Sequence, residues 1–262
     1  MILGIAGVGT IGGALRSWLL KHTQHQVLCY DPRLGYADAI SQAECMFVCV
    51  PVPTVNGGQD LSYIDDVLTR HSHQAQKIFI RSTVLPGTAD RLAKGWDRSI
   101  YSMPEFLTAR KAIQDVDSQD ILCGAHPNQH AAQYAFLSRI FGNHKSFSIM
   151  SNTECELAKY MHNVNGMVKV LLNNKVYQLC RAFNADYEHV RHGALMSGYV
   201  SRQHTDVPGP DGQFGAGGIC YPKDTQAFIH LLEEKGIPCN DLKEMQNYNS
   251  LLRDDLDESY IW

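Results

Sequence analysis

No run in this chain approaches the roughly 18–20 consecutive apolar residues that a membrane span requires. The opening residues Met1-Ile2-Leu3-Gly4-Ile5-Ala6-Gly7 lack the charged segment and long apolar stretch of a secretory signal. No block of Lys or Arg marks a nucleic-acid or membrane-surface patch, and a formal charge of −4 with a pI near 6.3 argues against a polyanionic partner. The eight cysteines contain no Cys-x-x-Cys and follow no disulfide framework. Most fall in apolar segments, which predicts reduced, buried thiols in the cytoplasm. No metal is implied. Neither an internal repeat nor a low-complexity segment interrupts the 262 residues, a length for one large or two ordinary domains.

What is present is an alternation. Ile2–Ala6 and the runs 26–30, 45–50, 77–80, 99–102, 121–124 and 147–150 read as strands. Helix-period segments at 11–22, 61–69 and 127–141 lie between several of them. Such a pattern predicts a parallel sheet covered by helices, that is, a doubly wound Rossmann-type α/β domain over residues 1–150.

Gly7-Val8-Gly9-Thr10-Ile11-Gly12 stands where the first strand turns into the first helix. The first glycine makes the tight turn, the second lets a pyrophosphate approach the backbone, and the third allows close packing of helix on strand. Asp31 follows Gly12 by nineteen residues, at the end of the second strand. A carboxylate there accepts hydrogen bonds from the ribose hydroxyls and repels a 2′-phosphate, which favours NAD over NADP. Arg33 is the neighbour that opposes this preference, and FAD is the other dinucleotide open to the pattern. Two further loops leave C-terminal strand ends, Val50-Pro51-Val52-Pro53-Thr54 and Arg81-Ser82-Thr83-Val84-Leu85-Pro86-Gly87-Thr88. Pro51 stiffens the first, and Thr83 offers a hydroxyl near the nicotinamide end of a bound cofactor. A third loop, Met103-Pro104-Glu105-Phe106-Leu107, holds a carboxylate that reads either as a general base, if enclosed, or as a helix-start acid.

From residue 151 the pattern changes. Ser151-Asn152-Thr153-Glu154 and Thr153-Glu154-Cys155-Glu156 both fit a capping box. Leu157, Tyr160, Met161, Val164, Val168, Leu171, Leu172, Val176, Leu179 and Phe183 then recur at helical steps, predicting one helix over 152–183 that bridges domains or forms a dimer seam. Lys159 and Asn163 are four apart on a face flanking that stripe, either solvated or aimed at a cleft. A second helix is expected over 186–196, another over 223–235 capped by Gly236, and a last one over 241–252. These elements make up a helical domain over 151–262. Its turn-rich segment Pro208-Gly209-Pro210-Asp211-Gly212 leads to Gly215-Ala216-Gly217-Gly218-Ile219-Cys220-Tyr221-Pro222-Lys223-Asp224. A thiol after a glycine-rich loop, with Lys223 near it as a cation, is a candidate nucleophile. The acidic run Asp254-Asp255-Leu256-Asp257-Glu258 reads as a solvated or frayed end.

Taken in order, Arg81-Ser82-Thr83-Val84 with Pro86-Gly87-Thr88, Pro104-Glu105-Phe106-Leu107, Glu156-Leu157-Ala158-Lys159-Tyr160 with Asn163, and Gly217-Gly218-Ile219-Cys220-Tyr221-Pro222-Lys223-Asp224 resemble the UDP-glucose/GDP-mannose 6-dehydrogenase family. The resemblance implies NAD-dependent oxidation of a nucleotide sugar's C6 alcohol to a carboxylate in two hydride transfers. In that scheme Lys159 and Asp224 assist proton removal, Cys220 captures the aldehyde, and a water oriented by Thr83 and activated near Glu105 releases the acid. Asn163 and Lys223 hold substrate hydroxyls and oxyanions, and Phe106, Leu107 and Gly217 line the substrate. The chain departs from the family pattern at Ala109, where a second glutamate is usual, and at Ala216, where an aromatic is. It also reads as a short form without the family's third, nucleotide-binding domain. A homodimer through the long helix is expected. A one-step β-hydroxyacid-type dehydrogenase and a non-catalytic NAD-binding homologue are the alternatives.

Overall fold

A computed structural model of the chain describes residues 1–55, 58–218 and 220–253. The expected acidic end at 254–258, and Ile219 beside the cysteine, lie outside the described residues. Two compact units are present, one comprising Met1–Val55 and Gln59–Lys159, the other comprising Gly58 and the chain from Tyr160 on.

In the first unit the chain runs β1 (Ile2–Ala6), α1 (Thr10–His22), β2 (Gln26–Asp31), β3 (Tyr36–Ala37) and β4 (Cys45–Val48). The short strands β5 (Thr54–Val55) and, ending in this unit, β6 (Gly58–Gln59) follow, then α2 (Ser62–His71), β7 (Lys77–Ile80), α3 (Thr88–Trp96) and β8 (Ile100–Ser102). The unit closes with α4 (Ala112–Ser118), β9 (Ile121–Gly124), α5 (His130–Phe141) and β10 (Phe147–Met150). Six strands form one sheet in the order β3-β2-β1-β4-β7-β8, parallel except for β3. Strands β9 and β10 pair in parallel as a separate ladder.

Side chains alternate across this sheet with the period of two that a pleated strand imposes. Leu3, Ile5, Cys45, Phe47 and Phe79 face one core, which α1, α4 and α5 cover with Leu15, Trp18, Val116 and Phe141. Ala6, Met46, Val48, Ile78 and Ile80 face the opposite core, which α2 and α3 cover with Ile64, Leu68 and Leu92. Both faces are therefore buried, as a doubly wound sheet requires. The strand order reverses on either side of β1, so the loop leaving β1 opens at the switch point where such sheets bind ligands.

The second unit is helical. The helix α6 (Asn152–Ala182) starts in the first unit and runs for 31 residues. Its start is the expected capping box: Glu154 N–H donates to Ser151 Oγ at 3.2 Å while Ser151 N–H donates to Glu154 Oε2 at 2.8 Å. After it come α7 (Tyr187–Leu195), α8 (Cys220–Glu234) and α9 (Asn240–Leu252). Two small cores hold them: Met167, Leu171 and Ala216 with Met245 and Leu252, and Cys180, Tyr187 and Val207.

The buried face of α6 keeps only part of the expected apolar stripe, Tyr160, Val164 and Leu171. Leu157, Met161, Leu172 and Leu179, and Phe183 just beyond the helix, are exposed. The buried positions include Asn152, Glu156, Lys159, Asn163 and Asn174. A polar side chain is tolerated there only with a hydrogen-bond partner, and each has one.

Candidate functional site

The glycine turn is built as a dinucleotide loop. Gly7 adopts φ +82°, and its N–H donates to Tyr30 O at 2.9 Å. A Cβ on Gly7 would meet Cys49 O at 2.6 Å, and one on Gly12 would lie 1.9 Å from Gly7 O. These two glycines are therefore demanded by the protein's own packing. Gly9 is different, because a Cβ there meets nothing within 4 Å. Val8 N–H donates to Asp31 Oδ2 at 2.8 Å, which fixes the carboxylate beside the loop. A cavity of about 700 Å³ opens here, lined by Gly9, Thr10, Arg16, Tyr36, Arg110 and Lys111. Its size suits a large cofactor, and the three cations suit a pyrophosphate. The open space above Gly9 and the anchored Asp31 fit NAD: Val8, Gly9, Thr10, Ile11 and Gly12 would receive the pyrophosphate at the start of α1, and Asp31 the ribose. NAD, when bound, supplies the hydride acceptor. The basic residues at 16, 110 and 111 escaped the sequence reading, for they are scattered along the chain and only the packing of α4 on α1 gathers them.

The loops after β4 and β7 are tied together. Ser82 Oγ donates to Val50 O at 2.5 Å, next to half-buried Pro51. Thr83 is half-buried, and its carbonyl accepts from Gln59 Nε2 at 3.1 Å.

Glu105 and Lys159 make a buried ion pair. Lys159 Nζ donates to Glu105 O at 2.5 Å and to Glu105 Oε1 at 3.2 Å, with both side chains at most 6% exposed. Leu107 N–H closes on Glu105 Oε2, and the Phe106 ring lies 5.6 Å from the ammonium. Glu105 is thus enclosed and sits in a loop, so it is no helix-start acid. A small cavity of about 30 Å³, about the volume of one water, touches Glu105, Arg81 and Lys145. Burial pushes the thiol of Cys49, near Arg81 and Glu105, up to about 12, so it stays protonated.

One turn before Lys159, Glu156 Oε2 accepts from Gly87 N–H at 2.6 Å and its Oε1 from Ala89 N–H at 2.9 Å. The carboxylate caps α3 and ties α6 to the end of the loop that carries Thr83. Burial outweighs these bonds and raises its titration to about 7.

In the second unit Asn163 Nδ2 donates to Asp224 Oδ2 at 2.6 Å, and Lys223 Nζ pairs with Asp224 Oδ1 at 2.5 Å. Asp224 is fully buried. Lys223, expected as the thiol's cation, is here the ion-pair partner of Asp224. The expected helix start at 223 moves back to Cys220, an exposed residue. Pro222 falls in the first turn, where a missing N–H leaves no carbonyl unpaired. The glycine segment before it is held by α9 and α6. Asn249 bonds both backbone groups of Ala216, at 2.7 and 3.0 Å, and Gly215 N–H donates to Asn174 Oδ1 at 3.1 Å. A Cβ on Gly217 would meet the Arg253 guanidinium at 2.3 Å, so this glycine has a packing reason of its own.

Lys159 and Asn163, four apart on α6, thus serve different carboxylates, Glu105 in the first unit and Asp224 in the second. Among the described residues no group of His, Cys, Asp or Glu is placed to hold a metal ion, and no described helix is long and apolar enough to cross a membrane.

Residues 33–144 match the NAD binding domain of the UDP-glucose/GDP-mannose dehydrogenase family, and residues 153–251 match its central domain. The UDP-glucose 6-dehydrogenase of Rickettsia prowazekii is 28% identical over 229 residues, covering 82% of this chain and 51% of that protein. The GDP-mannose 6-dehydrogenase of Pseudomonas aeruginosa is 26% identical over 240 residues, covering 82% and 52%. A UDP-glucose dehydrogenase structure from Pyrobaculum islandicum shares the fold, with a TM-score of 0.80 at 21% identity over 95% of this chain and 68% of that one. The chain spans about half the length of the curated relatives it matches.

Proposed function

Because the chain belongs to the UDP-glucose/GDP-mannose dehydrogenase family, we propose that it oxidises the C6 alcohol of a nucleotide sugar of the UDP-glucose kind to the carboxylate, using NAD. In this reading residues 1–150 form the NAD-binding domain, and 151–262 the helical domain that carries the nucleophile and pairs two copies through α6. The observation that supports it most is the first turn of α8. Cys220 is exposed at its start, and one turn on, Asp224 is fixed by Asn163 and Lys223.

The C6 hydroxyl would give up its proton with the help of Lys159 and Asp224, and bound NAD would accept the hydride from the C6 carbon, leaving an aldehyde. The Cys220 thiolate adds to the resulting aldehyde carbon as a thiohemiacetal, which keeps the reactive aldehyde from escaping. The peptide dipoles of α8 present their positive end to that sulfur. A second hydride leaves, giving a thioester. Water oriented by Thr83 and activated near Glu105 adds to the acyl carbon, the C–S bond breaks, and the thiol is restored. Asn163 and Lys223 donate to substrate oxygens where negative charge develops. In sum, one alcohol, one water and two NAD⁺ give one carboxylate, two NADH and three protons.

The test is stoichiometry across a panel of UDP- and GDP-sugars. Two NADH per sugar are expected, with Cys220→Ser retaining at most the first oxidation and forming no acid. Identical product and stoichiometry in the two proteins would sink the covalent scheme. One NADH with a ketone product would indicate the one-step dehydrogenase, and NAD stabilisation without any turnover the non-catalytic homologue.

A further inference from the structure

Gly218, two residues before Cys220, takes φ +72° and has nothing within 4 Å of a Cβ placed on it. As the first residue of α8, Cys220 lies where backbone N–H groups have no intrahelical acceptor, and Pro222 has no N–H at all. Side-chain contacts add rigidity to this turn. Lys223 and Asp224 secure its far side. The near side is held by the residue next to the cysteine, because Tyr221 OH lies 2.7 Å from His204 Nε2, with the two rings edge-on at 5.4 Å.

Two further features are built around this contact. Gly166 on α6 has no Cβ, and one added there would strike the Tyr221 ring and hydroxyl at 2.5–2.9 Å. The phenol therefore lies against the α6 backbone in a slot shaped for it. His204 takes φ +64°, a left-handed conformation uncommon for a residue with a side chain. That strain is held by bonds on either side: Lys169 of α6 donates to Ser201 Oγ at 2.8 Å and to Gln203 O at 2.6 Å, while Thr205 Oγ1 donates to Arg202 O at 2.7 Å. A strained backbone maintained by its surroundings and aiming one ring at one hydroxyl indicates a function for that ring.

We infer that His204 is a positioning residue for Cys220: through Tyr221 it pins the first turn of α8 against α6 and holds the thiol at the helix N-terminus. The charged and titratable groups facing His204 are Lys169 from α6 and Tyr221 from α8. Burial and the Lys169 ammonium both push the imidazole below its ordinary value, so it is neutral at pH 7, and Nε2 can accept the Tyr221 proton. The role rests on the reading of Cys220 as the nucleophile, but its test needs neither NAD nor sugar.

The experiment is alkylation of the folded protein by iodoacetamide from pH 6 to 10, read by mass at the peptide containing Cys220. Six of the other cysteines are buried and Cys49 is held protonated, so Cys220 is the thiol that reports. Tyr221→Phe, which removes one oxygen and keeps the ring on Gly166, should lower the rate at pH 7 about five-fold and move the profile to higher pH, as expected for one lost net hydrogen bond. His204→Ala should do the same, the double variant no more than either alone, and His204→Gln should recover most of the rate through its amide oxygen. An unchanged rate and profile in Tyr221→Phe, or single effects that multiply in the double variant, would overturn the inference. Should His204→Ala fail to fold, Tyr221→Phe decides alone. A positive alkylation result beside an inactive wild type would leave the positioning role standing and reject only the dehydrogenase reading.

Discussion

Glu156 brings a carboxylate into a site 2% exposed, where the N–H groups of Gly87 and Ala89 receive it and Asp90 repels it. Desolvation wins, and the side chain titrates at about 7 instead of 4.5. Below the ordinary value both the folded and unfolded chains hold the proton. As pH rises from 4.5 towards 7 the unfolded chain releases it first, so the folded state loses stability, by up to about 3 kcal/mol above pH 7. Thermal or urea melts at pH 5 and pH 8 should show this loss in the wild type and a flatter dependence in Glu156→Gln; equal slopes would mean that the group does not titrate in the fold. The residue was visible in the sequence as part of Glu156-Leu157-Ala158-Lys159-Tyr160, with only a capping role expected. Its actual partners are 67 and 69 positions away in the chain, and no local pattern points to them. The same holds for Lys159 with Glu105 and for Asn163 with Asp224, where the residues were identified and the pairings were not.

At the scale of elements, the turn from β1 into α1 separates glycines needed for packing from one that leaves room for a ligand. Gly12→Ala places a methyl 1.9 Å from Gly7 O and should cost at least about 1–3 kcal/mol of stability. Gly9→Ala meets no protein atom within 4 Å and should change stability by no more than about 0.5 kcal/mol, while abolishing most of the rise in Tm that NAD produces in the wild type. Thermal shift with and without NAD reads both; a full NAD response in Gly9→Ala would place the pyrophosphate elsewhere. The strands were legible because both faces of the sheet are buried and their runs are strongly apolar. The helices α3 and α4 were missed. α3 repeats Ala89, Leu92, Ala93 and Trp96 at helical steps but spans only nine residues, and α4 spans seven and buries only Ala112 and Val116.

For the whole molecule, the exposed face of α6 is the informative surface. Met161, Leu172, Leu179 and Phe183 are 55–80% exposed and recur at steps of 11, 7 and 4, which puts them along one side of the helix. A second copy packing on that side is the proposed occupant, and Leu172→Glu with Leu179→Glu should convert a dimer to a monomer in sedimentation; a monomeric wild type would reject the proposal. The sequence by itself determined the kind of fold, the glycine turn and the long helix, because each of these rests on spacing within a few residues, while the candidate reactive residues came from the resemblance to a family. Tertiary structure decided which side of α6 is buried, that polar side chains share this side with Tyr160, Val164, Met167 and Leu171, and which carboxylate Lys159 and Asn163 each serve. Helical periodicity finds where apolar residues cluster, but a buried polar group is tolerated wherever a distant partner satisfies it, and only the folded chain brings that partner into reach.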